Sequence, residues 1–155
     1  VISMSNKAIG TQFERDFAAA LYENGFWVHL FQDNYNGQPC DVIAARNGHT
    51  YLFDCKDCKG IFFRLDRMEE NQLNAMRLFE LTGSSRGKFV IRFEGGKIYL
   101  VDYWQLEALR NKGYKQIAPV DAGIYGMELS VWLSGQNAAD GWSREGWDDA
   151  DHYWQ

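Results

Sequence analysis

The chain has 155 residues, 46% hydrophobic and 15% aromatic, enough to bury the core of one compact domain and well outside the disordered range. No apolar run approaches the roughly 18 residues of a membrane span, and the opening VISMSNKAIG lacks the apolar stretch of a secretion signal. A net charge of −5 counts against a broadly basic nucleic-acid surface, and three cysteines, an odd number, argue against a disulfide framework and for a reducing cytosol.

In chain order, Phe13, Phe17, Ala20 and Leu21 recur at helical spacing from about Lys7 to Glu23, and Asn24-Gly25 supplies a stop. FWVHLF (26–31) reads as a strand, and DNYNGQPC as a turn-rich connection. DVIAA and TYLFDC form a hairpin around Asn47-Gly48, the favoured two-residue turn. A helix is predicted from about Asp66 to Leu81, then KFVIRF and KIYLVDY as a second hairpin around Glu94-Gly95-Gly96, then a short helix over 102–110. Residues 112–155 are Gly-, Trp- and Asp-rich without clear periodicity, and are read as an extension packed on the 1–111 core or on a partner subunit. The order helix, three strands, helix, two strands predicts an α/β domain with a central mixed sheet.

The charge is uneven along this plan. From Asp140 onward there are five acids, Asp140, Glu145, Asp148, Asp149 and Asp151, and one base, Arg144, which leaves the body near neutral. Acids in the body that bind metal would make the face around them effectively basic.

Pairing across Asn47-Gly48 makes Asp41 and Asp54 cross-strand neighbours. Like charges directly opposite destabilise a strand pair, and a divalent cation between them removes the conflict. Carboxylate oxygens suit hard cations such as magnesium. Lys56 falls on the same face as Asp54, placed to act on a metal-adjacent water or a phosphate; the plainer alternative is a solvated ion pair between the two. On the first helix Glu14 borders the buried stripe, and on the helix over 66–81 Gln72 lies among Met68, Leu73, Met76 and Phe79. Both need polar partners, which a site over the sheet or an ordinary surface contact would provide.

Gly10-x-x-Phe13-Glu14, Asp41, Asp54-x-Lys56 and Gln72, in this order and with these intervening strands, resemble the PD-(D/E)XK nuclease core. Within that superfamily FDCKDCKGIFFRLDRMEENQ is most similar to the RecU-type Holliday junction resolvases of bacteria and their phages, over about residues 8–103. The resemblance implies a restriction-endonuclease-like fold and metal-dependent hydrolysis of DNA phosphodiesters. It implies that Asp41, Asp54 and the backbone carbonyl of Cys55 bind magnesium, with manganese as a substitute, and that Glu14 holds the metal through water or supports Lys56. Lys56 would activate the attacking water, Gln72 would position Lys56 or the scissile phosphate, and Lys59, Arg64 and Arg67 would contact DNA phosphates. A homodimer acting on four-way or otherwise branched DNA, in a bacterial or phage-infected cytoplasm, is the implied setting. Two departures stand out: the acid of acid-x-Lys is the shorter Asp54, and about nine residues, Gln32 to Cys40, stand where RecU-type enzymes carry a long stalk.

Three alternatives share the chain. The same core acting on other DNA, in restriction or repair, is one, and a catalytically silent DNA-binding module is another. Cys55-x-x-Cys58 as a zinc or redox pair is the third, though Cys55 alternates toward the core and Cys40, His29 and His49 would have to converge from separate elements. Trp132, Trp142, Trp147 and Trp154 suit stacking on bases, docking on a partner or packing on the domain, and His152 a solvated tail.

Overall fold

The computed structural model describes residues 6–31 and 38–145. Helix α1 (Asn6–Glu23) is followed by strands β1 (Trp27–Leu30), β2 (Val42–Arg46), β3 (His49–Asp57) and β4 (Phe63–Arg64). A 3-10 turn (Leu65–Arg67) leads to α2 (Glu70–Leu81), β5 (Lys88–Arg92), β6 (Ile98–Asp102) and α3 (Tyr103–Asn111). The chain then adds β7 (Gln116–Ile117), α4 (Pro119–Tyr125), β8 (Met127–Glu128) and α5 (Leu129–Asp140). Six strands form one sheet in the order β1-β2-β3-β5-β6-β8, antiparallel except for the β3–β5 pair, and β4 pairs with β7 in a separate two-stranded ribbon. This is the mixed sheet flanked by helices expected from the sequence. The parallel β3–β5 step requires a crossover, and α2 lies within it.

The first helix stops as its sequence requires: Gly25 takes φ +83°, and the Asn24 side-chain amide caps the Ala20 carbonyl at 2.8 Å. The β2–β3 turn has positive φ at both Asn47 (51°) and Gly48 (80°), the geometry that makes this dipeptide a hairpin turn. Alternation along the strands then sorts side chains into two cores. Phe53, Val42, Ala44 and Val28 pack under α1 with Phe13, Phe17 and Leu21, and the Phe17 and Phe53 rings meet edge to face at 5.0 Å. On the opposite face Phe89, Ile91 and Val101 pack under α2 and α3 with Leu73, Met76, Leu106 and Leu109.

Two segments differ from the sequence expectation. The helix anticipated from Asp66 is broken: Met68 and Glu69 are extended, and α2 restarts at Glu70 with the Gln72 side chain accepting the Glu69 N–H at 3.2 Å. The segment set apart as 112–155 also contributes to the body of the domain. β8 is the sixth strand of the sheet, and Trp132 of α5 stacks on Phe26 at 5.7 Å and meets Tyr51 and Phe53 edge to face. β7, α4 and β8 span two, seven and two residues with single residues between them, too short for a period to be read, and α5 follows β8 without a break. The tail residues Trp147, Asp148, Asp149, Asp151, His152 and Trp154 lie outside the described residues. Among the described residues, no helix is long and apolar enough to cross a membrane.

Candidate active site

The site is built where β2 stops short of β3. Val42 lies opposite Phe53, and the regular ladder ends there, at a bend that brings Asp41 close to Asp54 and Cys55. The Asp41 N–H still bonds the Phe53 carbonyl at 3.0 Å, but beyond it β3 runs on to Asp57 without a β2 neighbour. The Cys55 N–H therefore turns to a side chain, donating to Asp41 Oδ2 at 2.8 Å. In an extended strand the carbonyl of a residue points to the same edge as its N–H, so the Cys55 carbonyl also faces this open notch.

Asp54 is buried, with 1% of its surface exposed, and its Oδ2 has no hydrogen-bond partner. Its other oxygen lies 3.5 Å from Lys56 Nζ, itself buried. Burial first, and then the Asp41 charge, push the Asp54 carboxyl well above its ordinary 3.8, while the Lys56 ammonium pulls it down. An orphaned buried carboxylate oxygen beside a second carboxylate is a donor set short of a cation. Two carboxylates and a peptide carbonyl are hard oxygen donors, so the residues present fit a divalent ion of the magnesium class.

The other residues singled out in the sequence sit on α1, in the segment after β3 and at the start of α2. Glu14 is half-buried on α1, and its charge reaches the Cys55 thiol. Gln72 sits at the start of α2 and is half-buried there, its carbonyl oxygen spent on the Glu69 N–H. Lys59 is exposed just past the end of β3. Arg64 is exposed and paired with Asp66 at 3.1 Å, whereas Arg67, also exposed, donates to the Asp57 carbonyl at 3.0 Å and lies over the Phe63 ring. Arg67 thus ties the end of the Asp54-Lys56 strand to the turn that follows it.

Cys55 and Cys58 do not converge. Cys55 packs against the core under α1 and Cys58 belongs to the core under α2, on opposite faces of the sheet. Burial, followed by the charges of Asp41 and Asp54, raises the Cys40 thiol to about 12 and pushes Cys55 up as well, holding both as neutral thiols.

Periodicity gave no signal for three further contacts. Gln38 Nε2 reaches Asp41 Oδ1 at 3.4 Å, and Asn71 Nδ2 of α2 donates to the Gln38 carbonyl at 3.3 Å, so the helix that follows the strand touches the loop that holds Asp41. Asp57 and Arg92 pair through two bonds of 2.9 and 2.8 Å, with Arg92 over the Phe13 ring, locking β3 to β5 and α1 next to the site.

This fold, with an acid-x-Lys strand at its centre, defines a nuclease of the PD-(D/E)XK superfamily. Comparison with known proteins narrows it. The family model described as archaeal Holliday junction resolvase (Hjc) matches residues 5–135, and the chain belongs to that family, whose members are metal-dependent endonucleases. Among solved structures it is similar to that of Hjc from Archaeoglobus fulgidus, a Holliday junction resolvase from an archaeal hyperthermophile. The TM-score is 0.61 at 16% identity, over 80% of this chain and 99% of that one. No curated protein matches the chain.

The superfamily read from the sequence is therefore right, and the family model that matches is the archaeal one.

Proposed function

We propose that the chain resolves four-way DNA junctions by metal-assisted phosphodiester hydrolysis, with its chemistry centred on Asp41, Asp54 and Lys56. The observation that carries this reading is the orphaned Asp54 Oδ2, buried beside a second carboxylate and an ammonium. Asp41, Asp54 and the Cys55 carbonyl would hold the cation, magnesium in the first instance with manganese as a substitute, and Glu14 would support it through water. The bound cation supplies charge to polarise a phosphoryl oxygen and to lower the pKa of a coordinated water. Lys56 balances part of the carboxylate charge and holds the attacking water or a phosphate oxygen by hydrogen bonding. Gln72, with its carbonyl committed to the helix start, has its amide hydrogens as the groups that contact the phosphate.

Lys59, Arg64 and Arg67 are exposed cations beside the strand, and they would form the phosphate-contacting edge. Two such sites related by a two-fold axis in a homodimer would cut paired strands symmetrically. Such a substrate places the enzyme's work in the cytoplasm.

The test is incubation of the protein with four-way, flapped and linear DNA, with magnesium, with manganese and with chelator. Metal-dependent paired cuts on four-way DNA support the reading. Cleavage of linear and branched DNA at equal rates would reassign the substrate. No cleavage of any DNA with either metal, by a protein that still binds DNA, would leave a silent binding module.

A further inference from the structure

The half of the sheet that α2 and α3 leave uncovered carries a row of aromatic rings on the catalytic face. Val28 points into the core under α1, so Trp27 and His29 point to the other side of β1, and Phe31 continues that alternation past the strand end. The register sets Trp27 opposite Ala45, His29 opposite Ile43, and Ile43 opposite Leu52. Leu52, Asp54 and Lys56 alternate on one face of β3, so the three rings share a face with the catalytic pair.

The Trp27 and His29 planes are within 16° of parallel at 6.4 Å, and Phe31 meets His29 edge to face at 4.9 Å. Trp27 is 49% exposed and His29 is exposed. The last ring is tied to the site, because the Phe31 N–H bonds the Asp41 carbonyl at 2.9 Å. Among the described residues, the helices on this face pack over β5 and β6, through Phe89, Ile91 and Val101.

An edge strand usually carries charge, proline or a cover that prevents pairing with other chains. β1 has neither Lys nor Pro, and presents aromatic rings instead. The row runs about 13 Å from Trp27 to Phe31, at roughly 3.3 Å per residue, the length of about four stacked nucleotides. Up to Asp41 itself, no carboxylate stands among the outward-facing residues of β1 and β2 to repel a phosphate chain. An aromatic surface without carboxylates, continuous with a phosphodiester-cutting site, fits bases better than a peptide or a membrane.

We propose that Trp27, His29 and Phe31 form a stacking platform for unpaired nucleobases of the strand that leaves the cleavage site, and so favour branched DNA over intact duplex. This deepens the nuclease reading and rests on it. Base–aromatic stacking is sequence-tolerant, and a paired base offers no free face to it.

The experiment uses the full chain in chelator at pH 8, with a labelled oligothymidine and a blunt duplex of equal length. Trp27→Ala and His29→Ala should each weaken oligothymidine binding by about tenfold, with much less effect on the duplex. The slope of log affinity against log salt should stay unchanged, because a ring contributes no phosphate contact. Trp27→Phe, which keeps a ring, should retain most of the affinity. An oligothymidine carrying one 5-iodouracil should photocrosslink to the peptide containing residues 27–31.

Unchanged affinity in a folded Trp27→Ala protein, or crosslinks only elsewhere, would overturn the proposal. So would a change from dimer to monomer in the variants without loss of affinity per chain, which would make the row an interface between copies. Because binding is read without metal, absence of cleavage in the wild-type protein would sink the nuclease reading without touching this readout. Intact cleavage with unchanged affinity in the variants would sink the platform alone.

Discussion

Asp41 and Asp54 meet where β2 ends against β3, and they are unequally satisfied: Asp41 Oδ2 accepts the Cys55 N–H at 2.8 Å, while Asp54 Oδ2 is buried without a partner. The strand edge that leaves Cys55 unpaired thus uses up one carboxylate oxygen and leaves the other carboxylate strained. Without a cation, this arrangement costs folding free energy.

Asp54→Asn should therefore abolish cleavage, while raising the metal-free stability by about 1 kcal/mol or more, since it removes a buried charge at nearly constant volume. Chelated protein followed by thermal melting and a nicking assay reads both effects. A variant that cleaves at the wild-type rate would remove Asp54 from the site.

The same strain sets a pH dependence. Asp54 titrates above its ordinary 3.8 in the folded protein, so its contribution is fully present below 3.8 and is lost as pH rises through the raised value. In chelator the wild-type melting temperature should fall from about pH 4 toward neutrality more steeply than that of Asp54→Asn. Magnesium at about 100 times its dissociation constant should restore roughly 2.7 kcal/mol at neutral pH in the wild type only. Parallel pH profiles for the two proteins would show that the carboxylate is not strained.

Lys56, 3.5 Å from Asp54, gives a kinetic test. Lys56→Ala should lower the single-turnover rate at saturating metal by on the order of 10²-fold or more, while metal still binds. If metal affinity falls and that rate does not, Lys56 serves the fold and not the reaction.

Arg64 and Arg67 should behave differently, although both stand beside the strand. Arg64→Glu removes an exposed cation and should weaken binding to every DNA, with a salt slope lower by about one. Arg67→Glu should also lower thermal stability, because it breaks the bond to the Asp57 carbonyl and the stack on Phe63. Equal melting temperatures for the two variants would refute that division.

The last prediction tests whether α5 belongs to the body of the domain. Trp132 is 7% exposed against Phe26, Tyr51 and Phe53, so Trp132→Ala should cost about 3–5 kcal/mol. Gly126→Ala should also destabilise, since a Cβ there would stand 2.2 Å from the Leu100 carbonyl oxygen. Urea unfolding of both variants checks this, and a loss under about 1 kcal/mol in each would mark the segment as an appendage.

What the sequence by itself determined was local or counted along the chain. The 3.6-residue stripe of α1, the Asn47-Gly48 turn and the two-residue alternation of β3 together set Val42 opposite Phe53 and put Lys56 on the same face as Asp54. No long-range information is needed for that, because a two-residue turn sets the register of both strands. Tertiary structure decided what periodicity does not encode. The strand β8 and helix α5 come after the last readable period and take their places only through Trp132 and the free edge of β6. The contacts of Gln38, Asn71 and Arg92 join residues from different elements, and the Trp27–His29–Phe31 row becomes a surface only because α2 and α3 cover the other half of the sheet. Burial decided the rest: whether an acid in a strand is a solvated ion pair or a strained ligand depends on what packs over it, and chain order alone does not specify that.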